Sequence, residues 1–490
     1  MQPLDWLIIL LYLAVLLAVG FIFYRRNDSS TSFTLGDRSI PGWVLSLSIF
    51  ATFVSSISYL ALPAAAYRDN WNSFAFSLSL PIAAIIAVRY FVPMFRKVNS
   101  PSAYTLLAEH YGPWARNYAA IMYLLTQVMR TGTILYLMAL MTRSLFGWSI
   151  PIVILITCAS IVIYSLAGGI RAVVWTDAIQ AIILIGGAVA CLIVISLKSP
   201  SGISGIVETG IREHKFSLGE FGPELSRPTF WVVLIYGLFI NVQNFGADQN
   251  YIQRYLSSRT MQEAQQSAWQ GALLYIPVSA LFLLIGTGLY GLYHSGSLQL
   301  PVALLDPAKS DGVFPHFIVT ELPQGIRGLL VVSIFAAGMS TISTSYNSAA
   351  TVMLNDFYLT RYGEGSSEKV KVRVLYLSTL LIAFTGAAVA MAMINTKSVL
   401  DTWWKLASVF SGGILGLFLL ALFTRAKENS GAVAGVAAAV LVILTMTMAS
   451  LVLPQGSALN SFHPYLSIVF GTTALVLTAV VTSAILKRSR

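Results

Sequence analysis

The sequence predicts an all-α polytopic membrane protein, and three observations carry that prediction. Hydrophobic residues make up 56% of the 490 and charged residues only 10%, a balance that an ordinary soluble globule does not show. The apolar residues fall into about thirteen runs of spanning length. Lysines and arginines collect in alternate connections between those runs, as expected of a chain threaded back and forth through a bilayer.

In order, the runs are 6–24, 43–67, 73–95, 116–142, 150–168, 172–197, 229–250, 267–293, 326–354, 373–394, 402–424, 431–453 and 465–486. The first lacks a small-residue cleavage site and ends in Arg25 and Arg26, so it reads as a retained span and not as a removable signal. With the N-terminus outside, the inner connections carry Arg25, Arg26 and Arg38, then Arg96 and Lys97, Arg171, Arg254 and Arg259. Arg361, Lys369, Lys371 and Arg373, then Arg425 and Lys427, and finally Lys487, Arg488 and Arg490 complete the inner set. The outer connections hold Arg68, Arg143, Lys309 and Lys397 and a mixed-charge loop over 198–227. This asymmetry predicts an outside N-terminus and an inside C-terminus, hence an odd number of spans.

The net charge of +10 is therefore a topology signal and not a footprint for nucleic acid. Cys158 and Cys191 both lie in apolar runs, which excludes a disulfide framework or a CxxC site. No connection is long enough for a second domain, so residues 1–490 read as one membrane domain. Asn27-Asp28-Ser29 matches a glycosylation acceptor but falls on the inner face.

Chemistry is concentrated where polar groups interrupt the runs. In IFAAGMSTISTSYNS, Ala337, Ser340, Thr341, Thr344 and Ser348 share one stripe of a 3.6-residue helix, a strip of oxygens that suits a hard monovalent cation or close helix–helix contact. Arg130 sits in mid-run and needs an anion, either Asp177 as a structural partner or a substrate carboxylate gripped in bidentate geometry. Asp177, about two turns into its run, can pair with Arg130, carry a proton or complete a cation site. The second run holds Thr52, Ser55, Ser56 and Ser58 before Pro63; the seventh holds Asn241, Gln243 and Asn244 between Gly237 and Gly246. Two interrupted helices five runs apart are expected of inverted five-helix repeats with broken first helices. Phe53, Tyr59, Tyr236 and Phe245 are candidate gates or plain packing. An intramembrane enzyme is disfavoured because the five histidines lie in or near loops and no HExxH or GxSxG occurs. A channel would use rings of repeated residues and has no need of broken helices.

Taken together, FATFVSSISY with LPAAAY, GGIRAVVWTDAIQ, NVQNFGADQNYIQRYLSS and FAAGMSTISTSYNS resemble the sodium/solute symporter family, in that order and over nearly the whole chain. The resemblance implies the LeuT-like 5+5 inverted-repeat fold with about thirteen helices: an extra helix at 6–24, repeat one at about 43–197, repeat two at about 229–424, and two extra helices within 431–486. It implies a Na+-coupled secondary active symporter, not an enzyme, that imports a small carboxylate-bearing solute by alternating access. The implied setting is a bacterial inner membrane, with sodium, solute and bilayer as partners and neither nucleic acid nor an obligate protein partner. The branch it is most similar to is the bacterial sodium-coupled sialic acid transporters, through Arg130 and WTDAIQ; a sugar, amino acid or monocarboxylate is the alternative solute.

Carried onto this chain, the resemblance places one sodium site at the carbonyls of Ala51, Val54 and Ala337 with the hydroxyls of Ser340 and Thr341. A second would use Asp177 with Ser340, Ser343 and Thr344, so two ions are expected. The solute would lie near Ser55, Ser58, Arg130, Phe239 and Gln243, its carboxylate on Arg130. Phe53 and Ser77 stand where the branch leads one to expect Thr and Gln, which bears on the identity of the sugar.

Overall fold

The structure is a computed structural model that describes residues 2–24, 29–98, 100–363, 365–395, 413–424, 429–453, 457 and 460–488. Ten helices among the described residues are long and apolar enough to cross a membrane, and the bent pair Gly42–Phe53 and Ser58–Arg68 makes an eleventh. Among the described residues the β-pairing is one isolated bridge between Ile40 and Ser258.

The helices are α1 (Pro3–Tyr24), α2 (Ser30–Leu35), α3 (Gly42–Phe53), α4 (Ser56–Arg68), α5 (Phe74–Val98), α6 (Thr105–Tyr111), α7 (Pro113–Phe146) and α8 (Ile150–Lys198). They continue with α9 (Gly202–Arg212), α10 (Phe230–Ala247), α11 (Gln249–Leu256), α12 (Met261–His294), α13 (Val313–Thr320) and α14 (Ile326–Tyr362). The last four are α15 (Glu368–Ala392), α16 (Ile414–Phe423), α17 (Asn429–Val452) and α18 (Ser467–Arg488).

The runs at 150–168 and 172–197 form one helical stretch, α8, turned at Gly169. Its φ of 54° and ψ of −149° fall in a region that only glycine enters without strain. The run at 402–424 lies partly outside the described residues; α16 is its described portion. The mixed-charge connection over 198–227 carries α9, which folds back onto α12. The seventh run is corrected too: Asn241, Gln243 and Asn244 are helical, and the break comes after them, at Asp248. Asn241 does not unwind the backbone because its Nδ2 is occupied, donating to Ser79 Oγ at 3.0 Å and to the Phe76 carbonyl at 3.4 Å.

α14 is the central element. Every residue from Ala336 to Val352 is buried, with α8, α1, α7 and α15 packed around it. A helix polar on this scale is stable at membrane depth only when other helices cover it. Its first turn is held from outside the helix. The Asp5 carboxylate of α1 accepts the N–H groups of Gly325 at 2.8 Å and Gly328 at 3.0 Å, which satisfies donors that a helix start otherwise leaves unpaired.

The C-terminal half of α4 is fixed by packing and by a capping lysine. A Cβ on Gly286 of α12 would lie 2.1 Å from the Pro63 carbonyl, so only glycine lets the two helices meet. Lys215 donates to the carbonyls of Tyr67 at 2.8 Å and Asp69 at 3.1 Å, and its ammonium lies 3.7 Å above the Tyr290 ring. Burial lowers the pKa of this lysine, opposed by the nearby carboxylates of Asp69 and Glu213.

Candidate functional site

Val54 and Ser55 separate α3 from α4, both with extended backbone (φ −92°, ψ 109° and φ −102°, ψ 170°), and the axis turns by 54° there. The serine cluster explains the break. Ser55 is the N-cap of α4, its Oγ accepting the Ser58 N–H at 3.4 Å, and a side chain that caps a new helix competes with continuing the old one. The carbonyl of Ala51 at the end of α3 and that of Val54 in the break are left beyond the regular intrahelical ladder.

α14 packs against both α3 and α4 and contributes the hydroxyls. Ser340 Oγ and Thr341 Oγ1 each donate to the Ala337 carbonyl at 3.1 Å, and Ser343 Oγ donates to the Ser340 carbonyl at 3.1 Å. Such back-bonding uses the hydroxyl hydrogen and turns the oxygen lone pairs outward. Ala51, Val54, Ala337, Ser340, Thr341, Ser343 and Thr344 are all buried. Among the described residues no three His, Cys, Asp or Glu cluster. The donors are neutral carbonyl and hydroxyl oxygens, a set matched to a hard, weakly charged cation.

Asp177 meets Arg254 and not Arg130. Arg254 Nη2 lies 2.7 Å from Asp177 Oδ2 with neither side chain exposed, and Arg254 Nη2 also donates to Thr344 Oγ1. Ser48 completes the set, donating to Asp177 Oδ2 at 2.6 Å. Asp177 Oδ1 has no hydrogen-bond partner among the described residues. Arg254, assigned above to an inner connection, is thus a fully buried cation of α11 whose eight residues are all buried.

Arg130 instead faces the second break. Its Nη1 lies 3.8 Å from Asp248 Oδ2, with the two side chains 20% and 16% exposed. That spacing is too long for a charge-assisted hydrogen bond, so the N–H donors of Arg130 remain available. Asp248 is the N-cap of α11 and accepts the Asn250 N–H at 2.8 Å.

Of the other expected solute residues, Ser55, Ser58, Phe239 and Gln243 are half-buried, and Gln243 Oε1 has no hydrogen-bond partner among the described residues. Phe53 packs against Tyr251, Phe245 and Tyr275 at ring distances of 4.8, 5.7 and 5.7 Å. Ser77 is buried and accepts from Ser279 Oγ at 2.8 Å. Of the candidate gates, Tyr59 is fully buried between Phe282 and Phe314 at 4.7 and 6.1 Å, which is core packing. Sequence reasoning missed Ser48, Asp248 and Arg254. The signal for the last two was their place in ADQNYIQRYL, where a carboxylate and an arginine flank a stretch patterned as a helix, with Asp at a natural N-cap.

A family model described as Sodium:solute symporter family matches residues 33–439. The sodium/sialic acid symporter SiaT of Proteus mirabilis is 32% identical over 476 residues, 96% of this chain and 93% of that protein. A solved Na+-coupled sialic acid symporter, substrate-bound and outward-open and described as revealing a novel Na+ site, superposes with a TM-score of 0.92 at 28% identity, covering 99% of this chain and 98% of the other. The nucleobase-cation-symport-1 transporter Mhp1, closed with bromovinylhydantoin bound, shares the fold at a TM-score of 0.61 and 16% identity over 94% of this chain and 96% of its own. The fold is the LeuT-like broken-helix inverted repeat, and with the family match extending over most of its length the chain belongs to the sodium:solute symporter family.

Proposed function

We propose that the chain imports sialic acid together with sodium by alternating access, and that Arg130 takes the solute carboxylate. The observation that carries this reading is Arg130 itself. It is an arginine within a span, largely buried, loosely paired, and without a hydrogen-bond acceptor among the described residues. A guanidinium in that position is set to grip a planar carboxylate with two parallel bonds. The 32% identity to a sialic acid symporter over 96% of this chain, and the superposition on a solved one at a TM-score of 0.92, support the choice of acid.

Sodium has two proposed places. One lies at the α3–α4 break, between the carbonyls of Ala51 and Val54 and the group Ala337, Ser340 and Thr341 of α14. The other uses Asp177 with Ser340, Ser343 and Thr344, supported by the unpartnered Asp177 Oδ1. The repeats are proposed at about 43–197 and 229–424, flanked by 6–24 and 431–486, with the N-terminus outside and the C-terminus in the cytoplasm. Sodium joining α14 to the broken helix would order Ser55 and Ser58, so each ligand raises the affinity of the other by the same factor. An inside-negative potential adds about 2.3 kcal/mol per net charge per 100 mV. Rocking of one bundle against the other then opens the site inward, where low sodium frees the ion and the solute follows.

A second reading, a different carboxylate, rests on Phe53 and Ser77. One is an aromatic ring in an aromatic cluster and the other a short, buried hydroxyl that already accepts from Ser279, so neither reaches toward a sugar hydroxyl as a long amide side chain would. The test is Arg130→Ala in proteoliposomes. Uptake of N-acetylneuraminate should fall at least about a hundredfold; uptake that survives the substitution would remove Arg130 from the solute site.

A further inference from the structure

Four charges gather around α11 and cancel in pairs, Arg130 with Asp248 and Arg254 with Asp177. Both pairs are held by one short helix, since Asp248 is the N-cap of α11 and Arg254 lies in its last turn. Asn250 joins them. Its N–H donates to Asp248 Oδ1 at 2.8 Å and its carbonyl accepts from Arg254 Nη1 at 2.5 Å.

This neutrality has a price for an anionic solute. With Arg130 already balanced, an entering carboxylate brings a negative charge that no remaining protein cation in the two pairs offsets, and an uncompensated charge in a low-dielectric interior is unfavourable. Sodium supplies the missing positive charge. We propose that Asp248, by neutralising Arg130, makes capture of a carboxylate conditional on sodium. This rests on the reading of Arg130 as the partner of the carboxylate. Asp248 is a positioning residue: it balances Arg130 while the site is empty and yields it once sodium is present. The 3.8 Å separation suits that task, because a tight bidentate pair would compete with the solute for the same N–H groups.

The test is Asp248→Asn, which removes the charge and keeps a side chain able to cap α11. Purified wild type and variant are titrated calorimetrically with N-acetylneuraminate in sodium chloride and in choline chloride. Each is also titrated with sodium chloride alone, followed by tryptophan fluorescence. In choline the variant should bind N-acetylneuraminate about threefold or more tighter than wild type, narrowing the sodium-to-choline ratio of affinities. Without solute its sodium midpoint should rise about threefold or more, since Arg130 then repels the ion. Asp248→Glu, which restores the charge, should return both values. Structural damage does not tighten binding, so the direction of change separates the proposal from a packing role. An unchanged ratio, or equal weakening in both salts, overturns it. If wild type binds no N-acetylneuraminate in either salt, the choice of solute fails instead, and the sodium midpoint decides: raised in Asp248→Asn it upholds the role of Asp248, unchanged it overturns it.

Discussion

Arg254 and Asp177 face each other at 2.7 Å with neither side chain exposed, and Ser48 Oγ bridges them, donating to Asp177 Oδ2 at 2.6 Å and accepting from Arg254 Nε at 2.7 Å. Three segments distant in sequence are tied at this point: α3, α8 and α11. Removing one partner of such a pair strands the other charge in the interior. Arg254→Gln is therefore expected to lower stability by about 3–5 kcal/mol, read as a lower unfolding temperature in detergent. The paired change Arg254→Gln with Asp177→Asn should recover part of that loss, and additive losses would contradict the pairing.

Asp177 also has a proposed ionic role that stability alone does not report. Its Oδ1, without a hydrogen-bond partner among the described residues, belongs to the one carboxylate in the proposed second sodium site. Asp177→Asn should bring the Hill coefficient for sodium, measured from initial uptake rates, down toward one while leaving some transport. An unchanged coefficient would reject the second ion at this position.

Ser340 and Ser343 make the same kind of back-bond, at the same 3.1 Å, to carbonyls of their own helix. A packing role predicts equal effects of their replacement. Because Ser340 is proposed in both sodium sites, Ser340→Ala should raise the half-saturating sodium concentration about tenfold, a loss of ~1.4 kcal/mol, and Ser343→Ala clearly less. Equal shifts would return both hydroxyls to the role of helix–helix contact.

Much of this architecture is legible in the sequence because the physics behind it is local. Hydropathy marks the spans, and the polar cluster at Thr52 to Ser58 marks the first break, since a serine able to cap a helix is visible in one short stretch. The second break was expected at Asn241 to Gly246 and lies at Asp248. Polarity located the interruption only to within two turns, because Asn241 found its partner in Ser79, on a helix that no local pattern connects to it. Arg254 was read as a loop cation for a related reason. A helix of eight residues is too short to register as a span, and its burial depends on the elements that enclose it. Pairings such as Arg130 with Asp248 belong to the tertiary fold. The sequence shows only that each charge needs a partner.

The central claim is that sodium flowing inward drives solute accumulation. Uptake of labelled N-acetylneuraminate into proteoliposomes, under an imposed inward gradient of sodium chloride or of choline chloride, tests it most directly. The account predicts accumulation above the external concentration with sodium and only equilibration with choline; equal accumulation in the two salts would contradict it.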